Sequence, residues 1–270
     1  MFTNQQQDKM CHNRRIGIFG SLIVVAVILL FLGYFVSNPY NVKTIGDIPL
    51  PHGYTRVDVA EDSYAAWLRG LPLKSRGTSL RLYSGGKANL QWLSAGVVDM
   101  HLLSNDEQCA DVCMRLQSEY LYERGQYDKI SFTALNGKKL TYTGEADRKA
   151  FESYMKRVFG SCNTTSLCSS LPSRRLEEMQ IGDMFIYPHR KVHGRNHYGH
   201  AVLVADMAIN NRTGKKIFLL VEGCTPACDI HILRNLNPFR SQWFSLDEEA
   251  EHMRFNVFRF TNKELMYYNY

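Results

Sequence analysis

Cys109 stands in Gln108-Cys109-Ala110-Asp111, in the first turns of a segment whose apolar residues recur at helical spacing. The free N–H groups and dipole of a helix N-terminus favour an anion, so a thiol placed there is held toward the reactive thiolate. His200 follows 91 residues later in Tyr198-Gly199-His200-Ala201-Val202-Leu203-Val204, at the head of an apolar strand pattern. A thiol on a helix N-terminus facing an imidazole on a sheet is the arrangement of a nucleophile and its general base. Glu222 closes the next strand pattern, where a carboxylate can hold the imidazole in one tautomer. Gln108, or a backbone N–H near it, can donate to the oxyanion formed when a thiolate attacks a carbonyl. Cys109, His200, Glu222 and Gln108 are therefore the catalytic candidates, and acyl transfer or amide hydrolysis is the chemistry they would carry.

Each also has a purely structural reading. Cys109 lies on the apolar stripe of its helix, where inert core thiols and disulfide halves are common. His200 would serve as a strand cap, and Glu222 as a rim carboxylate. Cys162, in Gly160-Ser161-Cys162-Asn163-Thr164, is a rival nucleophile before a short helix. That helix lies directly upstream of the Gly-Asp turn and strand Ile181-Gly182-Asp183-Met184-Phe185-Ile186, and the spacing leaves both cysteines open. His189, His193, His197 and His200 have spacings that could serve zinc. Arg190, Lys191 and Arg195 between them disfavour a dication, so no metal and no cofactor are expected. Neither Cys109/Cys113 nor Cys224/Cys228 has the two-residue gap of a zinc knuckle, and a disulfide accounts better for Cys224-Thr225-Pro226-Ala227-Cys228. Trp67, Trp92 and Trp243 read as core rather than as a sugar platform.

The chain that must position these residues has 270 of them, 45% hydrophobic and 21% charged, with a formal net charge of +6. A mean hydropathy of −0.27 excludes a multi-span membrane protein. Ile16–Val36 is the local exception, 21 residues without a charge and long enough to cross a bilayer as one helix. Arg14 and Arg15 precede it, which places the N-terminus inside and the remainder outside. No small-x-small cleavage site ends the apolar stretch, so an anchor is favoured over a cleaved signal. The expected organisation is a cytoplasmic tail (1–15), a transmembrane anchor (16–36), a linker (37–46), an exported domain (47–262) and a short tail (263–270). Removing three basic residues and one acidic residue with the first 36 positions lowers the net charge to +4. That mild balance points to no nucleic-acid partner. An inner-membrane protein with its main domain in the periplasm is the expectation, and six of the seven cysteines then lie where disulfides form.

Along the exported part, helices are expected at 62–69, from a Ser104 or Asn105 cap to about 123, at 147–159, and briefly after Thr164. Strands are expected at 54–59, 78–83, 96–102, 130–134, 139–143, 184–187, 200–208, 216–222, 230–233 and 254–260. Helices dominate the middle and an antiparallel sheet the end, which is an α+β class.

The Gly-Asp strand followed by a strand-leading histidine resembles the sheet of NlpC-type and related papain-like cysteine hydrolases, in which such a histidine is the general base. Longer motifs resemble an exported bacterial family, that of domain of unknown function 4846. They are Ile48-Pro49-Leu50-Pro51-His52-Gly53-Tyr54-Thr55-Arg56, the run Ser63 to Lys74, Gln108-Cys109-Ala110-Asp111 with Arg115-Leu116 and Glu119-Tyr120-Leu121-Tyr122, Gly199-His200-Ala201-Val202, and Asp229-Ile230-His231-Ile232-Leu233. The resemblance covers about 45–260. This chain departs from the family pattern in having Glu222 where a Gln stands and Tyr198 where a Pro stands. Cys162, Cys168, Cys224 and Cys228 look like additions of this chain, which implies disulfide partners and leaves Cys109 ahead as nucleophile. The resemblance thus implies a papain-like α+β fold behind a single anchor. The family delivers no activity of its own; the helix-start Cys109, the Gly-Asp strand and the strand-leading His200 carry the expected one, a cysteine hydrolase or amidase acting on a cell-wall peptide or envelope protein. The alternative is an inactive envelope binding or scaffold protein on the same fold.

Overall fold

A computed structural model of the protein describes residues 42–192, 194–237 and 241–269. The expected tail and anchor (1–36) lie outside them, and no helix among the described residues is long and apolar enough to cross a membrane. The unit from Val42 onward is compact in itself. It is a mixed α+β fold built on an antiparallel sheet. In chain order its elements are β1 (Tyr54–Arg56), α1 (Tyr64–Gly70), β2 (Ser94–Val97), α2 (Cys109–Glu123), β3 (Ser131–Thr133), β4 (Lys139–Thr141), α3 (Arg148–Phe159) and α4 (Thr164–Ser170). The second half holds β5 (Met184–Tyr187), β6 (Arg190–Val192), β7 (Arg195–His197), β8 (His200–Asn210), β9 (Lys216–Glu222), β10 (His231–Leu233), β11 (His252–Phe255), β12 (Phe258–Thr261) and β13 (Leu265–Met266).

The main sheet runs β13-β5-β8-β9-β10-β2, with β1 added along the far half of β8. Its long strands are buried on both faces, and their alternation sorts side chains between two cores. Ala201, Leu203 and Ala205 face the helices, while Val202 and Val204 face an aromatic cluster of Phe185, Phe218, Phe244, Phe255 and Phe260. The pairing of β8 with β9 slips between Val204 and Asp206. This bulge puts Ala208 on the helix side and Met207 on the aromatic side. Asp206, fully buried, receives Arg56 Nε at 2.7 Å and Arg69 Nε at 2.6 Å, so β1 and α1 are tied to the sheet by charge as well as by apolar contact.

Helix α2 is the central helix. Twelve of its fifteen residues are buried, although its stripe predicted one buried face. Its polar positions are accommodated by pairing. Arg115 Nε donates to Glu119 at 2.5 Å and its Nη1 lies 3.5 Å from Glu107, while Arg148 of α3 grips Glu119 with two hydrogen bonds of 2.6 and 2.8 Å.

Several boundaries move relative to the sequence expectation. Helix α2 begins at Cys109 with Gln108 as its cap, not after Ser104 or Asn105. Leu103–Asp106 is instead tied by Glu107, whose carboxylate accepts the Leu103 N–H at 2.6 Å. Residues 78–83 form isolated bridges (Arg81 with Lys87, Leu82 with Cys228) rather than a strand, because the backbone of Leu80 bonds the Gln91 amide instead. The expected strand 254–260 is a hairpin, β11 and β12, turning at Asn256 with a positive φ of 57°. Ile45, read as linker, is fully buried, and Leu265–Met266, read as tail, forms the edge strand β13. Trp243 is core, but Trp92 is exposed at 48%.

Candidate functional site

One end of the sheet gathers titratable groups on adjacent strands. Val221 pairs with Leu203, so Glu222 stands one step along from it and diagonal to His200 on the same face. His231 of β10 pairs directly with Glu222. Strand pairing alone thus sets a carboxylate between two imidazoles. His200 Nε2 and Glu222 Oε2 are 2.8 Å apart, with Nε2–H donating to the carboxylate. His231 Nε2 lies 3.3 Å from Glu222 Oε1, close enough for an ion pair although not aligned for a hydrogen bond.

Helix α2 brings the thiol. Cys109 is its first residue, so its N–H is one of the orphan donors of the first turn. The thiol lies near enough to His200 to favour its protonated ring. With Nε2 engaged by Glu222, Nδ1 is the ring nitrogen left for sulfur. Burial works against a charged His200, but the hydrogen bond to Glu222 and the nearby Cys109 sulfur outweigh this and raise it to about 9. Burial likewise works against ionised Glu222, and the two histidines still hold it below the ordinary carboxylate range. Cys109 is 8% exposed and the His200 side chain 12%, so the pair is sheltered yet reaches the surface.

Close approach between helix and sheet depends on two glycines. A Cβ on Gly223, the residue after Glu222, would lie 2.6 Å from Val112 Cγ2 and 3.2 Å from the Gln108 carbonyl oxygen. A Cβ on Gly199, just before His200, would lie 2.0 Å from Thr164 Oγ1 and 2.7 Å from the Tyr187 carbonyl oxygen. Neither position has room for a side chain.

Three further residues complete the site. Phe258 stacks on His200 with ring centroids 3.7 Å apart and an interplanar angle of 15°, fixing the imidazole plane. Thr225 Oγ1 donates to Gln108 Oε1 at 2.7 Å, which turns the Gln108 amide nitrogen away as a free donor. Asp111 Oδ2 accepts the Gln108 N–H at 3.1 Å and secures the first turn. Its Oδ1 is buried without a hydrogen-bond partner, and burial pushes the carboxyl up to about 8. Asp111 belongs to the Cys109 motif, but Phe258 comes from a distant hairpin with no local signature, and Thr225 was visible only as part of a cysteine loop.

The structure therefore brings Cys109, His200, Glu222 and Gln108 together. It does not bring Cys162 to them. That thiol turns to the Thr133 carbonyl of β3 at 3.6 Å, and burial raises it to about 11. Cys168 turns to the Ile186 carbonyl at 3.7 Å. The six cysteines among the described residues are all free. The disulfides expected for Cys162, Cys168, Cys224 and Cys228 are thus not formed, because Cys162 and Cys168 point at different carbonyls and the sulfurs of Cys224 and Cys228 meet as thiols. Asp183 braces its own turn, accepting the Gln180 N–H at 2.8 Å and pairing with Arg174 at 3.3 Å. Of the histidine-rich loop, His193 lies outside the described residues, and His189 packs on the exposed ring of Tyr198.

The family model for domain of unknown function 4846 matches residues 46–146 and 142–267. No curated protein and no solved structure matches the chain.

Proposed function

We propose that this chain, which belongs to the family of domain of unknown function 4846, is a papain-like cysteine hydrolase or amidase with Cys109 as nucleophile. The observation that carries the reading is the continuous Cys109–His200–Glu222 chain at a helix N-terminus. His200 takes the thiol proton and Glu222 stabilises the imidazolium. The thiolate attacks a carbonyl, and the Cys109 N–H and the Gln108 amide donate to the developing oxyanion. His200 then returns its proton to the leaving amine, and water cleaves the thioester with the same base. Ile16–Val36 anchors the domain in the inner membrane with its site in the periplasm, where a cell-wall peptide or an envelope protein is the substrate class.

Iodoacetamide labelling followed by peptide mapping tests the mechanism. Under reducing conditions at neutral pH, Cys109 should label faster than the other five described cysteines. His200→Ala should slow it about a hundredfold, the lower end of what a positioned base contributes. Labelling of Cys109 no faster than that of buried Cys113, or unchanged by His200→Ala, would remove the reading and leave a binding or scaffold protein on this fold.

A further inference from the structure

On the other side of Glu222 lies a second cluster that the hydrolase reading does not use. Cys224 and Cys228 leave the end of β9, loop round through Ala227, and meet His231 at the start of β10. The two sulfurs and a ring nitrogen of His231 all lie within 4.8 Å of one another. Three potential ligands on tetrahedral zinc would have separations of roughly 3.5–3.8 Å, from Zn–S near 2.3 Å and Zn–N near 2.0–2.1 Å. The cluster therefore needs only a small contraction. His231 is wholly buried, and its Nε2 has no hydrogen-bond partner. Its Nδ1 lies 3.3 Å from the Asp229 carbonyl oxygen, the kind of backbone contact that orients a ligating imidazole.

We propose that Cys224, Cys228 and His231 form a zinc site next to the catalytic carboxylate. Charge favours it. Two thiolates neutralise Zn2+, so loading replaces two buried thiols and the His231–Glu222 ion pair, and releases the two thiol protons together with the proton His231 holds in that pair. Glu222, 3.3 Å from His231, supplies a further oxygen beside the fourth position. The metal would also fix the loop whose Thr225 holds Gln108, so it would order the oxyanion side of the site without touching Cys109. The wider Cys-x-x-x-Cys gap hides this site from knuckle-type spacing rules, because its third ligand comes from the next strand.

The test uses the full-length chain purified in mild detergent under reducing conditions, stripped with chelator and reloaded with zinc or cobalt. One zinc per chain by elemental mass spectrometry is expected for the wild type and for Cys168→Ser, and its loss for Cys224→Ser and His231→Gln. On the wild type, cobalt should give thiolate-to-metal charge-transfer absorption and intense tetrahedral d–d bands, a readout that does not depend on the variants folding. No zinc retained after reloading, cobalt spectra without thiolate character, or a Cys224–Cys228 disulfide mapped in the protein as isolated would each overturn the proposal. None of these readouts depends on hydrolase activity, so the two readings fail separately.

Discussion

Glu222 matters at the residue scale because it faces two histidines from inside the sheet. Its carboxylate and the Cys109 thiol together raise His200 to about 9 despite burial. The raised value has a defined sign. The protonated imidazole stabilises the fold fully below the ordinary pKa of 6.5, and that contribution is lost as pH rises through about 9. In the proposed mechanism the leaving amine takes the same proton, so the wild type should lose activity above about pH 9. Glu222→Gln removes one of the two supporting partners and should move that alkaline limb about one unit toward neutrality, read from a pH–rate profile. Asp111 works in the opposite sense. Its carboxyl is raised from 3.8 to about 8 by burial, so it costs stability as pH rises from about 4 toward 8. Asp111→Asn keeps an acceptor for the Gln108 N–H and removes the charge. Its stability relative to the wild type, by denaturant unfolding, should grow across that window by a few kcal/mol. Cys109 was visible in the sequence as a helix-start thiol. Phe258, which fixes the imidazole plane, was not, since ring stacking across an unrelated hairpin leaves no spacing to read.

Elements place these groups through three contacts: β8 with β9, β9 with β10, and the first turn of α2 against the exit of β9. The strands were legible because alternation and turn residues are local, and β5 and β9 begin and end where the pattern says. The start of α2 was not legible. Ser104 and Asn105 are good cap residues, but Glu107 claims the Leu103 N–H and the helix waits for Gln108. That shift moves Cys109 from inside the helix to its first position, where its own N–H is free for an oxyanion. Gly223 then sets how closely the turn approaches. Gly223→Ala would put a Cβ 2.6 Å from Val112 Cγ2, and overpacking of that kind costs about 1–3 kcal/mol. The expected outcome is slower Cys109 alkylation together with a lowered unfolding midpoint. A variant that alkylates at the wild-type rate would show that the turn gives way without moving the thiol.

The whole molecule combines an apolar N-terminal stretch with a compact body. Within the body from Val42 onward, Ile45 and Ile48 share one core with Leu68 and Leu71. A chain beginning at Val42 should therefore fold with the full-length unfolding midpoint and remain in the supernatant. The full-length protein should sediment with membranes after an alkaline wash, and release of both by that wash would remove the anchor from the proposed function.

Sequence by itself determined the α+β class, most strands, the Cys109 and His200 motifs and the apolar segment, because each is written in neighbouring residues or in a fixed period. Only the tertiary structure decided which thiol meets an imidazole. Cys109 and Cys162 both stand at helix starts, yet Cys162 turns to a carbonyl of β3 while Cys109 faces His200. It also decided that Glu222 lies between His200 and His231, and that Cys224 and Cys228 meet His231 as thiols. Those are matters of strand register, loop path and helix approach, which leave no mark on local spacing.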